Sequence, residues 1–232
     1  RKFDMGDYSN YSEASKLTVR DLLLRYLAEN KHRKKKGWRM EEYRVNYINE
    51  DTIADTNCLS LSSKHLIEFR ERRLKKVSTS TFNKDLSFIS IVIETAMHDW
   101  GIYFPHNPCR SLKREKESQP RNRRLINDEQ RQLIEACALS DNKYLKPMVQ
   151  FSIETAIRQG ELLKLTHKQI NWDDRIMTLI DTKNGEDREV PLSEKAYLIL
   201  KSQIRRIDGR IFPMTKDSLK FWFKQAKRRA KI

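Results

Sequence analysis

Residues 78–102, "STSTFNKDLSFISIVIETAMHDWGI", restrict the fold more than any other stretch of this chain. Phe82, Leu86, Ile89, Val92, Ile93 and Ala96 recur at helical spacing and cover much of the circumference of the helix they would form. Such a helix has to be surrounded by other elements, so it is predicted to be the central member of a bundle. Its partners are visible nearby. Thr18 and Asp21 make a T-x-x-D cap for a first helix carrying Val19, Leu22, Leu23, Tyr26 and Leu27. A second helix is expected after the basic loop "KHRKKKGW", with Tyr43 and Tyr47 one turn apart, and a third in "SSKHLIEFRERRLKKV" (62–77). The expectation for residues 1–109 is therefore four helices and no strand.

The pattern then changes. Residues 106–124, "HNPCRSLKREKESQPRNRR", show no period, contain two prolines and read as a linker, with 110–124 as its core. Past it, Asn127 with Gln130 is the expected cap of a helix over "DEQRQLIEACAL". "YLKPMVQFSIETAIRQGELLKL" is expected to be a helix that breaks near Gly160 and restarts. "RIMTLIDTKNGEDREVPL" (175–192) alternates, turns at Asn184-Gly185 and alternates again, the pattern of a β-hairpin. A helix capped by Ser193 and running to Arg206, and another after Asp217, complete a second domain over 125–232. The predicted class is mainly α, a helical domain followed by an α+β domain with a small antiparallel sheet.

The 232 residues carry 47 basic and 32 acidic side chains, a formal charge of +15. Residues 1–120 hold a surplus of six positive charges and residues 121–232 a surplus of nine. A surplus shared by both halves suits a long polyanion held along the chain, although solubility alone also accounts for it. Cys58, Cys109 and Cys137 show no C-x-x-C spacing and no histidine cluster, which suits a reducing compartment and argues against structural zinc. No metal site, cofactor motif, signal peptide or apolar run of bilayer length is read from the sequence. The chain begins at Arg1, which is read as the trimmed end of a longer original.

Three groups of residues carry possible chemistry. Arg158 interrupts the apolar run Ile157, Leu162, Leu163; its planar fork suits two phosphate oxygens, and Glu161, one turn on, would orient it. An ordinary surface ion pair at that spacing is the competing reading. Lys183, just before the Asn184-Gly185 turn, would reach out to protonate a leaving alkoxide, or would simply blunt a sheet edge. The third group is basic or hydroxyl-bearing and suits phosphate contacts: Lys34, Lys35, Lys36 and Arg39; Arg72 and Arg73; Ser80, Thr81, Asn83 and Lys84; and Arg121, Arg123 and Arg124. Each of these stretches alone reads as a solvated face; their recurrence favours a nucleic-acid clamp.

The run "TAIRQGELLKL" resembles the first-arginine box of the tyrosine recombinases, or phage integrases, with Ala156 where a glycine is usual. "TKNGEDREVPL" resembles their catalytic-lysine hairpin, and "KGWRMEEYRVNYI", "STSTFNKDLSFISIVIETA" and "NPCRSLKREK" are similar to their core-binding domain and linker. The resemblance implies a SAM-like core-binding domain and a catalytic domain closing as a C-shaped clamp on duplex DNA. It implies Arg158 as a phosphate-clamping arginine, Glu161 as its acidic support and Lys183 as general acid. It further implies cleavage through a 3′-phosphotyrosine without ATP, metal or other cofactor, and a cytoplasmic, nucleoid-associated site of action with no membrane partner. Family members assemble as tetramers on DNA. No H-x-x-R box follows "FKQAKRRAKI", so the second arginine, the histidines and the nucleophilic tyrosine go unassigned, and Tyr144 and Tyr197 read as packing residues. The resulting expectation is a monomeric, DNA-binding, cleavage-incompetent fragment, with a non-catalytic DNA-binding regulator on the same scaffold as the alternative.

Overall fold

The computed structural model describes residues 11–29, 37–120, 122–180 and 187–232. Backbone contacts divide the chain into two compact units, Arg1–Arg121 and Asn122–Ile232.

In the first unit, α1 spans Val19–Ala28 and α2 spans Trp38–Asn49; α3 covers Ser63–Leu74 and α4 covers Thr79–His98. The Thr18–Asp21 box opens α1 as expected: the Thr18 N–H donates to Asp21 Oδ2 at 2.8 Å and the Asp21 N–H returns to Thr18 Oγ1 at 3.3 Å. Ser78 caps α4, and Phe82, Leu86, Ile89, Val92, Ile93 and Ala96 are all buried, so the helix lies within the core as its pattern requires. Phe69 of α3 meets Phe82 at a ring-centroid distance of 6.1 Å, and Tyr26 of α1 meets Phe88 edge-on at 5.6 Å.

A polar cluster that lies inside this unit links three of its helices. Asp85 of α4 is buried and accepts from Arg73 Nε at 2.8 Å and Arg44 Nε at 3.2 Å. Arg73, only 5 % exposed, also stacks on Tyr47 with its guanidinium carbon 3.5 Å from the ring centroid. Three helices are thereby joined through one carboxylate.

Part of the predicted linker belongs to this core. Asn107 caps a short helix α5, Pro108–Ser111, by accepting the Cys109 N–H at 3.0 Å, and Cys109 is buried against the bundle. Burial raises the thiol of Cys109 to about 12, as it does that of Cys58. Beyond α5, Asn83 donates to the carbonyl of Glu115 at 2.8 Å and accepts the Glu115 N–H at 3.0 Å, strapping the extended segment to α4.

The second unit begins with α6, Glu129–Ala138. The predicted cap at Asn127 is displaced. Asn127 adopts a left-handed conformation, Asp128 occupies the cap, and Glu129 takes the Ile126 N–H at 3.0 Å. Helix α7, Leu145–Thr155, breaks at Ala156 rather than near Gly160, and a one-turn helix α8, Gln159–Leu162, follows. Strands β1 (Ile170–Asn171), β2 (Ile176–Leu179) and β3 (Arg188–Pro191) form an antiparallel sheet in that order. Met177 pairs with both Ile170 and Val190, and Leu179 with Arg188. The expected turn at Asn184-Gly185 lies outside the described residues. Ser193 caps α9, which ends at Lys201, short of Arg206; Thr215, not Asp217, caps α10, Lys216–Arg229. Phe151 of α7 and Phe212 meet at 5.9 Å in a core that also buries Met148, Leu165, Met177, Leu200 and Ala226. Among the described residues no helix is long and apolar enough to cross a membrane.

Candidate active site and nucleic-acid interface

The position of Arg158 follows from the break before it. Ala156 closes α7 with φ 49° and ψ 29°, its N–H still bonded to the Ser152 carbonyl at 2.9 Å. That left-handed step reverses the chain, Ile157 turns inward to be buried, and Arg158 becomes the N-cap of α8 in an extended conformation. Its side chain is 52 % exposed. An apolar run is thus interrupted by a guanidinium because the backbone turns outward there.

Glu161 holds that guanidinium from the same short helix. One carboxylate oxygen accepts from Arg158 Nη1 at 2.9 Å; the other accepts the Arg158 backbone N–H at 3.1 Å. The second oxygen also accepts from Arg188 Nη2 at 2.9 Å. Glu161 is 12 % exposed and Arg188 is 40 % exposed. Burial alone would raise the pKa of Glu161, but bonds from the Arg158 side chain, its backbone and Arg188 together outweigh it, holding the carboxyl below the usual carboxylate range. The group is therefore an anion bracketed by two cations, and Arg158 projects a half-exposed positive fork from the N-cap of α8. A planar fork of this kind suits two oxygens of one phosphate.

Arg188 was not singled out by the sequence. It stands opposite Leu179, on the last rung paired among the described residues, and "EDREVPL" reads as an ordinary charged strand. Only the fold brings it to Glu161, 27 positions earlier. Lys183 belongs to the connection between β2 and β3 and lies outside the described residues, as do Lys34, Lys35, Lys36 and Arg121.

The remaining basic candidates divide by burial. Arg73 and Asn83 are corrections: both side chains are buried, one committed to Asp85 and Tyr47, the other to the Glu115 backbone, so neither meets a phosphate in this fold. Arg72 forks onto Asp51 at 2.7 and 3.0 Å, which raises the arginine's basicity, and Arg123 forks onto Glu129 at 2.7 and 2.9 Å. Arg39 and Lys84 are exposed on α2 and α4, Arg124 is exposed after the unit boundary, and Ser80 and Thr81 are half-buried in the first turn of α4. Among the described residues no group of three or more His, Cys, Asp and Glu side chains is placed to hold a metal ion.

Comparison with known proteins adds to this geometry. Residues 123–231 match the model of the phage integrase family. A putative integrase/recombinase of Haemophilus influenzae is 32 % identical over 231 residues, covering 94 % of this chain and 62 % of the relative. The shufflon-specific DNA recombinase of Escherichia coli is 31 % identical over 206 residues, covering 85 % of this chain and 53 % of the relative. The chain thus spans between half and two thirds of the length of these relatives. Among solved structures, a lambda integrase tetramer bound to a Holliday junction superposes with a TM-score of 0.79 at 16 % identity, covering 99 % of this chain and 71 % of the other. The Tn1549 transposon integrase in complex with circular intermediate DNA gives 0.74 at 16 % identity, covering 93 % and 79 %. These two superpositions show a shared fold.

Proposed function

The chain belongs to the phage integrase family, and from that premise we propose that it grips duplex DNA and activates a backbone phosphate for site-specific recombination. The observation that carries this reading is the bracketed Glu161, which fixes one fork of Arg158 while leaving half of that side chain exposed.

In the reaction we propose, a tyrosine hydroxyl gives up its proton to water as its oxygen attacks a phosphodiester, forming a phosphorus–oxygen bond to the tyrosine. The bond to the 5′ oxygen breaks, leaving a 3′-phosphotyrosine and a free 5′-hydroxyl. One phosphodiester replaces another, so the bond energy is retained and rejoining needs no ATP. Arg158 stabilises the charge on the equatorial oxygens of the pentacoordinate phosphorus. Glu161 holds the guanidinium in place, so no reorganisation is required as that charge develops. Lys183 gives its proton to the departing 5′ oxygen. No residue of this chain is assigned the roles of second arginine, histidine or nucleophile.

In the same reading the first unit is the core-binding domain, with Arg39, Lys84, Ser80 and Thr81 as its phosphate contacts, and the second is the catalytic domain, with Arg123 and Arg124 leading into it. Assembly as a tetramer on two DNA sites, and action in the cytoplasm, belong to the proposal. Support comes from the +15 charge, which suits a polyanion. Fluorescence anisotropy with a labelled duplex of roughly 25 base pairs tests it: each neutralised phosphate contributes about −0.9 to the slope of log K against log salt. A steep linear fall is expected. Binding that is absent, or insensitive to salt, contradicts the proposal.

A further inference from the structure

We propose that Arg188 is a positioning residue for Arg158, acting through Glu161 and tying the base of the β2–β3 hairpin to the turn that presents the phosphate-binding guanidinium. This rests on the function proposed above and adds to it a residue that touches neither the phosphate nor the leaving group.

Glu161 Oε2 is shared between Arg158 and Arg188: it accepts the Arg158 backbone N–H at 3.1 Å and Arg188 Nη2 at 2.9 Å, while Oε1 holds Arg158 Nη1 at 2.9 Å. Without Arg188, Glu161 would pair only with a residue three positions away in its own helical turn, an arrangement that rotates as a unit. Arg188 adds the tether from a second element. It sits on the rung Leu179–Arg188, the last one paired among the described residues, and Lys183 follows in the connection from β2 to β3. The two parts of the proposed site, arginine turn and lysine hairpin, are therefore joined through one carboxylate. The pairing lies in a partly dry place. Glu161 is 12 % exposed, and Arg188 Nε is shielded from solvent without a protein partner among the described residues. A charge-assisted bond there is worth more than on open surface, and losing it leaves the partner under-satisfied.

The test uses the 232-residue chain and the variants Arg188→Lys, Arg188→Gln, Glu161→Gln and the double Arg188→Gln/Glu161→Gln, each checked for native melting. Two readouts are taken. The first is hydrogen exchange of the Arg158 amide, which is bonded to the shared oxygen. Arg188→Gln is expected to speed it by roughly tenfold or more, the equilibrium counterpart of one lost charge-assisted bond, and Arg188→Lys to restore part of the protection. Unchanged exchange overturns the proposal. The second is the dissociation constant for duplex DNA. If Arg188 acts through Glu161, Arg188→Gln and Glu161→Gln weaken binding by similar factors and the double variant is no worse than either alone. Additive losses would mean that Arg188 meets DNA itself, which overturns the positioning role. Should Arg158→Ala leave DNA binding untouched while Arg188→Gln still frees the Arg158 amide, the proposed function fails and the tether stands.

Discussion

Replacing Ala156 with glycine is expected to stabilise the second unit. The residue closes α7 at φ 49° and ψ 29°, where the Cβ of an L-residue crowds the following carbonyl oxygen; that crowding costs roughly 1–2 kcal/mol. Glycine removes it. Glycine also loosens the unfolded chain, which offsets about 0.4–1 kcal/mol of the gain. The Ala156 methyl is exposed, so no core contact is lost with it. The net expectation is about 0.5–1 kcal/mol in favour of the variant, or a rise of roughly 2–8 °C in the melting temperature of a domain of about 100 residues. Calorimetry resolves the transition of the second unit, and urea unfolding gives the free energy independently. A melting temperature lowered by Ala156→Gly would mean that the left-handed turn is not a source of strain in the native state. The same turn directs Arg158 outward, so duplex DNA binding by the variant is expected to stay within a factor of about two of the parent, the range of a surface change below 0.5 kcal/mol.

Other expectations follow from the polar clusters. Asp85→Ala leaves the buried Arg73 guanidinium with no carboxylate, and breaking a buried pair in this way costs about 3–5 kcal/mol; chemical denaturation of the first unit should show it, and a loss below about 1 kcal/mol would argue against the pair. For Glu161, the folded carboxyl lies below its ordinary value of 4.5. Its contribution to stability is therefore present above that value and is lost as pH falls through the lower folded value. Glu161→Gln should accordingly flatten the fall in stability on acidification below pH 4.5; parallel curves for the two proteins would contradict the arginine bracket.

Local signals were legible where a side chain acts on its own neighbourhood. The Thr18–Asp21 box, the apolar circumference of α4, the alternating strands and the Ser193 cap all depend on residues a few positions apart, and the structure has them. Arg158 with Glu161 was legible for the same reason. Signals that depend on tertiary partners were not. "RERRLKK" reads as a solvated face, yet Arg73 turns inward because Asp85, twelve positions later on another helix, neutralises it. Asn83 looks like a phosphate contact until the backbone of the extended segment at Glu115 takes both ends of its amide. The sequence puts the helix break near Gly160, because glycine marks breaks by propensity. Alanine has no preference for the left-handed region, and Gly160 sits inside a helical turn with open space around it. Arg188 had no signal at all: a charged residue in an alternating strand is unremarkable until the hairpin folds against α8.

Whether Arg158 grips a DNA backbone phosphate is measured by the salt dependence of duplex binding, without requiring a known target sequence. In parallel anisotropy titrations from low to physiological salt, Arg158→Ala should weaken binding and make the slope of log K against log salt shallower by about 0.9, the share of one phosphate contact. Arg158→Lys, which keeps the charge but loses the fork, should recover the slope while binding more weakly than the parent. An Arg158→Ala slope and affinity indistinguishable from the parent's would contradict the account.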